Sequence, residues 1–246
     1  MSDKKLAVVT GASAGIGAAT AVALSEAGFE VLMGARRIDR LQAVAEPVGA
    51  RFQQLDVTDP DSVEAFVEPI DKLDLLVNNA GGALGVDRIE AASDERWRTM
   101  WEVNFLGLAR MTRSLLPALL ASGEGHIVNV GSIAGFETYP GGAGYTGAKH
   151  AVRALTKTLR LELVGKPIRV TEICPGLVET EFSMVRFHGD AEKAESVYKG
   201  YEPLKGEDIA DIVTFVVNTP DHVNILDLVV LATAQRSAHM VHKEPV

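Results

Sequence analysis

Short apolar runs alternate with longer amphipathic stretches along the whole chain, and this rhythm narrows the folds open to it. The candidate strands are LAVVT (6–10), EVLMGA (30–35), RFQQL (51–55), DLLVN (74–78), HIVNV (126–130), IRVTEIC (168–174) and LDLVVL (226–231). Several are apolar at successive positions, the pattern of parallel strands covered by helices on both faces. Helical periodicity fills the intervals at 15–28, 37–48, 60–71, 93–120, 145–164 and 207–218. Start signals agree: Asp59 stands before Pro60, and Ser93 before Asp94 and Glu95. Such alternation predicts an α/β fold with a doubly wound parallel sheet. No linker, repeat or low-complexity tract divides the chain, so one domain is expected over 1–246. The stretch 179–205 interrupts the rhythm. It is charged, is broken by Gly189, Gly200 and Pro203, and follows a strand's carboxyl end, where open α/β sheets bind ligands.

Composition excludes several classes of function. The 246 residues carry a net charge of −9 with scattered basic residues, whereas nucleic-acid binding needs a basic stripe. The single cysteine, Cys174, excludes an internal disulfide and a cysteine-based zinc site, and fits a reducing compartment. The opening MSDKKLAVVTGA has basic residues before an apolar run, but Thr10 and the glycines interrupt that run too early for a signal peptide. No apolar stretch approaches the roughly 18 residues of a membrane span. A cytoplasmic protein is expected, with a small-molecule substrate and no metal, nucleic-acid or membrane partner.

The first candidate strand runs into TGASAGIG, where Gly11, Ser13, Ala14, Gly15, Ile16 and Gly17 lead into the first helix. Glycines at such a junction permit a tight turn and close approach of a pyrophosphate to the helix N-terminus. The spacing is G-x-x-x-G-x-G, not the dinucleotide fingerprint G-x-G-x-x-G, and no Gly-Lys-Ser/Thr follows as in a Walker loop. A plain tight turn is the bland alternative, and the position at the first strand–helix junction weighs against it. The second strand ends in Gly34-Ala35-Arg36-Arg37. A carboxylate there would suit the ribose 2′-hydroxyl of NAD; two guanidiniums instead suit the 2′-phosphate of NADP. NADP is therefore the expected cofactor.

Tyr145 and Lys149 lie four residues apart and share one face of a helix. A phenol normally titrates near 10, and a nearby ammonium would lower that value toward useful acid–base chemistry. Ser132 follows the strand HIVNV, placed to hydrogen-bond a substrate oxygen. Y-x-x-x-K alone is common. Its meaning comes from the phosphate turn and the arginine pair, each also at a strand's carboxyl end.

With these motifs together, the chain resembles the short-chain dehydrogenase/reductase family over nearly its full length. The matching segments are TGASAGIG (10–17), NNAG (78–81), the asparagine of VNFLG (103–107), Ser132, YTGAK (145–149) and PGLVET (175–180). The resemblance implies a Rossmann-type sheet with a seventh strand, Tyr145 as general acid/base, and Lys149 lowering its pKa while binding the nicotinamide ribose. It implies that Ser132 positions the substrate and that Asn104 sustains a proton relay through a water near Lys149. Asp56 and Val57 should flank the adenine, Asn79, Ala80 and Gly81 the ribose side, and Pro175, Gly176, Val178 and Thr180 the nicotinamide end. Family members commonly form tetramers through helices matching 93–120 and 145–164.

Within that family the chain is most similar to NADP-dependent 3-hydroxy acid dehydrogenases acting on serine, 3-hydroxypropionate or related compounds. GGALGVD (81–87), GHIVNVGSIAG (125–135), VRFHGDAEKAESVY (185–198) and PDHVNILDLVVLATAQ (220–235) carry the closer match. Arg186, inside the 179–205 insertion, is the candidate partner for a substrate carboxylate. Two other readings stay open: a broad NADPH-dependent carbonyl or aldehyde reductase, and a non-enzymatic dinucleotide-binding sensor. Pro203 and Gly206 bracket a possible hinge. The tail 237–246 is expected either to fray or to reach a neighbouring subunit's active-site rim.

Overall fold

The computed structural model describes residues 4–245. Seven parallel strands form one sheet: β1 (Leu6–Thr10), β2 (Glu30–Ala35), β3 (Arg51–Gln54), β4 (Leu75–Asn78), β5 (Gly125–Val130), β6 (Ile168–Pro175) and β7 (Asp227–Val230). Their spatial order is β3-β2-β1-β4-β5-β6-β7, and every neighbouring pair is parallel. The order reverses between β1 and β4, and an open α/β sheet presents its ligand crevice at such a switch point.

The connecting helices are α1 (Gly15–Glu26), α2 (Ile38–Ala45), α3 (Pro60–Val67), α4 (Asp94–Trp101), α5 (Gly107–Ser122), α6 (Ala143–Glu162), α7 (Phe182–Arg186), α8 (Ala191–Ser196) and α9 (Gly206–Val217). They cover both faces, and the strands' uninterrupted apolarity divides between them. Ala7, Val9, Leu75 and Val77 pack with Ala21 and Leu24 of α1, Leu41 of α2, and Ile209 and Val213 of α9. Val8, Leu32 and Leu76 pack on the opposite face with Val63 and Phe66 of α3, Met111, Leu115 and Leu119 of α5, and Leu159 of α6. Phe66 is fully buried, so its truncation to alanine would cost about 3–5 kcal/mol in a core of this kind.

The start signals read from the sequence act as caps. Asp59 Oδ1 accepts from Asp61 N at 3.0 Å, and Ser93 Oγ from Arg96 N at 3.3 Å. The expected helix over 93–120 is not continuous, because a π-helical segment at Glu102–Leu106 separates α4 from α5. The insertion 179–205 holds α7 and α8, which no periodicity announced. Its two ends meet: Val178 and Leu204 form a parallel bridge, and Glu179 N donates to Leu204 O at 2.7 Å. The insertion is thus an excursion that leaves and re-enters the fold beside the end of β6. No helix among the described residues is long and apolar enough to cross a membrane.

Candidate active site

One cavity of about 460 Å³ opens at the carboxyl ends of the central strands. Its wall includes Gly11, Ala14, Gly15 and Ile16 of the first turn, Arg37, the Asn79–Gly82 loop, Ser132, Tyr145 and Lys149. Pro175, Gly176, Val178 and Thr180 line it as well, as does Arg186. Residues drawn from the whole chain therefore converge on one cavity, while Ser13, Gly17, Arg36, Asp56, Val57 and Asn104 stand outside its wall.

The first turn opens a helix N-terminus onto the cavity. Gly11 and Gly15 adopt φ of +67° and +55°, a region that favours glycine. A Cβ on Gly17 would stand 2.4 Å from Asn79 Nδ2 and 2.5 Å from Gly11 O, so α1 approaches β4's end only because no side chain intervenes. Ala14 begins α1 in extended backbone with no side-chain cap and no acidic residue in the first turn. That leaves positive helix-terminal donors beside the cavity, the arrangement that suits a pyrophosphate. Gly17 itself lies behind the wall, and Ser13 acts through Arg37: its Oγ accepts from Nε at 3.4 Å and Nη2 at 3.2 Å. Arg37 Nη1 also donates to Glu181 Oε2 at 2.8 Å, and Arg40 Nη1 donates to Glu181 Oε1. Arg36 is exposed at the same strand end.

Ser132, Tyr145 and Lys149 come from the end of β5 and the first turns of α6. Ser132 Oγ accepts from Ala134 N at 3.1 Å and donates to Pro175 O at 3.5 Å. Lys149 is buried, and its Nζ donates to Val130 O at 2.9 Å while standing 5.8 Å from the centre of the Tyr145 ring. Burial lowers the Lys149 ammonium to about 8, against the opposing pull of the Glu172 carboxylate. Tyr145 departs from the expectation of a lowered phenol. Burial holds it above the ordinary range and Tyr139 pushes the same way, while Ser132 and Arg186 pull it down. The ammonium anchored on Val130 does not outweigh desolvation, which disfavours any phenolate in an apolar wall.

Asn104 sits, buried, in the π-helical segment. Its Nδ2 donates to Gly82 O and Met100 O, each at 2.8 Å, and its Oδ1 accepts from Gly82 N at 3.2 Å. The side chain thus clamps the loop carrying Gly81 and does not line the cavity. Both Nδ2 hydrogens are used in these bonds, and Oδ1 keeps a second lone pair. Asp56 and Val57 also lie outside the cavity wall. Asp56 Oδ1 accepts from Thr58 N at 3.0 Å and Thr58 Oγ1 at 2.7 Å, closing a turn, and Val57 packs against Gly107.

Arg186 faces the cavity. Its Nε donates to Gly85 O at 3.2 Å and its Nη2 to Tyr139 Oη at 3.0 Å. Tyr139 is one of the residues that sequence reasoning passed over; it lies within the glycine-rich stretch between Ser132 and Tyr145, and that proximity was the available signal. Phe182, whose ring meets Tyr145 edge-on at 5.6 Å, lies in the 179–205 insertion, which was the available signal there. Gln235, whose Oε1 accepts from Leu177 N at 2.9 Å, ends the 220–235 segment that carried the closer family match. The carboxyl-terminal segment lies along its own chain. Ala238 N donates to Glu137 Oε2 at 2.7 Å, Lys243 Nζ to Ser196 O at 2.6 Å, and Glu244 N to Gly200 O at 2.8 Å.

Comparison with known proteins agrees with this geometry. The profile of the short chain dehydrogenase family matches residues 5–191. An uncharacterized oxidoreductase of Mycobacterium tuberculosis is 52% identical over 243 residues, covering 99% of this chain and 97% of that protein. An NADP-dependent 3-hydroxy acid dehydrogenase of Schizosaccharomyces pombe is 40% identical, covering 98% of each chain. Among solved structures, the closed form of a serine dehydrogenase complexed with NADP+ superposes with a TM-score of 0.92 at 40% identity, covering 97% of this chain and 100% of that one.

Proposed function

The chain belongs to the short-chain dehydrogenase family, and from that premise we propose that it is an NADP-dependent oxidoreductase of a small 3-hydroxy acid such as serine or 3-hydroxypropionate. One observation carries the reading: the glycine-rich first turn, Arg37, the Ser132–Tyr145–Lys149 set and Arg186 all line a single cavity. The relatives named NADP-dependent 3-hydroxy acid dehydrogenases support the substrate class.

NADP(H), when bound, supplies or accepts the hydride. Gly11, Ser13, Ala14, Gly15 and Ile16 take the pyrophosphate end, with Gly17 permitting the close approach of α1. Arg36 and Arg37 take the 2′-phosphate, and Asp56 and Val57 form the neighbouring turn toward the adenine. Asn79, Ala80 and Gly81 face the ribose, while Pro175, Gly176, Val178 and Thr180 flank the nicotinamide. Tyr145 Oη takes the proton from the alcohol during oxidation and returns it to the carbonyl during reduction. Ser132 Oγ holds the reacting oxygen and favours the phenolate. Lys149, anchored on Val130 O, presents positive charge to the ribose and the phenolate. Asn104 fixes the Gly81–Gly82 loop from behind and sustains a proton relay through a water near Lys149. Arg186 receives the substrate carboxylate and so orients the carbon that reacts. The chain assembles as a homotetramer, or a homodimer, through the helices over 93–120 and 145–164, a reading supported by the exposed Trp101, Leu120 and Leu161 on them, and it acts in the cytoplasm.

The test is a panel assay following NADP+ reduction with 3-hydroxy acids, amino alcohols and sugars, and NADPH oxidation with bulky aldehydes. Preference for hydroxy acids supports the assignment. Uniform turnover of bulky aldehydes makes the protein a broad carbonyl reductase, and binding without turnover makes it a sensor.

A further inference from the structure

We propose that Glu181 is a built-in competitor for the cofactor's 2′-phosphate: it occupies the Arg37–Arg40 fork until that phosphate displaces it, and the exchange releases the start of α7. The inference rests on the reading of NADP as cofactor.

Glu181 stands between two functional regions. It follows Thr180 in the cavity wall and immediately precedes α7. Each of its carboxylate oxygens accepts from a different arginine, Oε2 from Arg37 and Oε1 from Arg40. Both guanidiniums belong to the start of α2: Arg37 lines the cavity, and Arg40 joins it through Glu181, so together they form the seat offered to a 2′-phosphate. Arg37 is aimed there by Ser13, which holds its Nε and Nη2. Arg37's hydrogen bond, followed by Arg40's, holds the Glu181 carboxyl below the usual carboxylate range, as an anion between two guanidiniums requires.

A phosphate monoester presents three acceptor oxygens and close to two negative charges, against two oxygens and one charge for a carboxylate. The same donors therefore prefer it, and the two anions cannot share one seat without repulsion. Side chains of Arg37, Arg40 and Glu181 are 45%, 52% and 43% exposed, so solvent screens their pairing and displacement is within a phosphate's reach. NAD carries a hydroxyl at this place and has no anion with which to displace the carboxylate. Arg40 thereby becomes a further ligand of the 2′-phosphate, one that the strand-end pair Arg36-Arg37 did not announce.

The consequence extends to the substrate. Phe182, next to Glu181, packs edge-on against Tyr145, and Arg186 at the far end of the same short helix holds Gly85 O and Tyr139 Oη. Helix α7 is thus tethered to the phosphate seat at one end and to the candidate carboxylate seat at the other. Displacement of Glu181 removes the first tether, and a 2′-phosphate alters the segment that bears Arg186 where a 2′-hydroxyl does not.

The experiment measures 2′,5′-ADP and ADP, probes without nicotinamide, against wild type and Glu181→Gln by calorimetry, with amide hydrogen exchange of residues 182–189 read in parallel. Glu181→Gln is expected to bind 2′,5′-ADP about 2–10-fold more tightly, the scale of releasing two half-exposed ion pairs, with ADP affinity unchanged. In wild type, 2′,5′-ADP and not ADP should speed exchange in 182–189. In Glu181→Gln the exchange should already be fast and should gain nothing from 2′,5′-ADP. Wild type that prefers 2′,5′-ADP while Glu181→Gln binds it no more tightly overturns the competition. Exchange that responds equally to both probes overturns the release of α7. Wild type without preference for 2′,5′-ADP overturns the NADP assignment itself, and the inference with it.

Discussion

Arg37 and Arg186 line the same cavity and are held in opposite ways. Arg37 meets a carboxylate, Glu181, and the hydroxyl of Ser13. Arg186 meets only neutral acceptors, the Gly85 carbonyl and the Tyr139 hydroxyl. A guanidinium already neutralised must lose a partner before it takes a new anion. One held by neutral groups keeps its charge directed at the cavity and acts on what stands nearby. Arg186 accordingly pulls the Tyr145 phenol down against burial. In the proposed reading, the first arginine selects a ligand by exchange and the second is preset for one.

The largest expected effect tests whether both arginines flank a reaction centre at all. Tyr145→Phe should lower kcat by about 10²–10⁴-fold, the usual share of general acid–base catalysis, with the NADP+ dissociation constant unchanged by fluorescence titration. Retained turnover would leave the two arginines with no common chemistry between them.

Next in size is the phosphate side. Arg36→Asp combined with Arg37→Ile should shift the NADP+ over NAD+ affinity ratio toward NAD+ by about a hundredfold, from the loss of charged hydrogen bonds and the gain of a repelling carboxylate. An unchanged ratio in equilibrium binding would break the assignment of Arg37 as a phosphate ligand. On the substrate side, Arg186→Ala should raise KM for a 3-hydroxy acid about 10–30-fold, with little change for a neutral alcohol, since one charged hydrogen-bonding partner is removed. Equal effects on both substrates would take Arg186 out of the site.

The smallest effect is the most diagnostic. If deprotonated Tyr145 accepts the alcohol's proton, kcat/KM for oxidation rises with pH up to the phenol's apparent pKa. Burial already places that bend on the alkaline side. Arg186→Ala and Ser132→Ala each remove a group that lowers the phenol, so each should move the bend further alkaline. Arg37→Ile should leave it where it stands. A bend that moves equally for both arginines would erase the difference between them.

Much of this molecule was legible in the sequence because the governing signals are local. The strands are apolar at successive positions because they are covered on both faces, and the two clusters built on alternate residues of β1 and β4 show that cover. The glycine turn fell at a strand–helix junction, and Tyr145 and Lys149 fell one helical turn apart. Arg36 and Arg37 ended a strand whose end could be counted. Helices α7 and α8 were not legible, because two short turns within a charged stretch leave too few residues for a period to register. The π-helical segment was equally hidden: its side-chain pattern is that of a helix, and only Asn104's poor helix propensity marked the place.

The sequence by itself determined the layered sheet, the glycine turn and the pairing of Tyr145 with Lys149 on one helical face, since periodicity and spacing follow from bond geometry within a few residues. Only the tertiary structure decided the partners. Glu181 reaches Arg37 across 144 positions and Arg186 reaches Gly85 across 101. Asn104's amide is taken by a loop 22 residues away, and the phenol of Tyr145 is raised by burial that no spacing records. Charge pairing and desolvation depend on which surfaces meet when the chain packs, and packing joins residues that the sequence keeps apart.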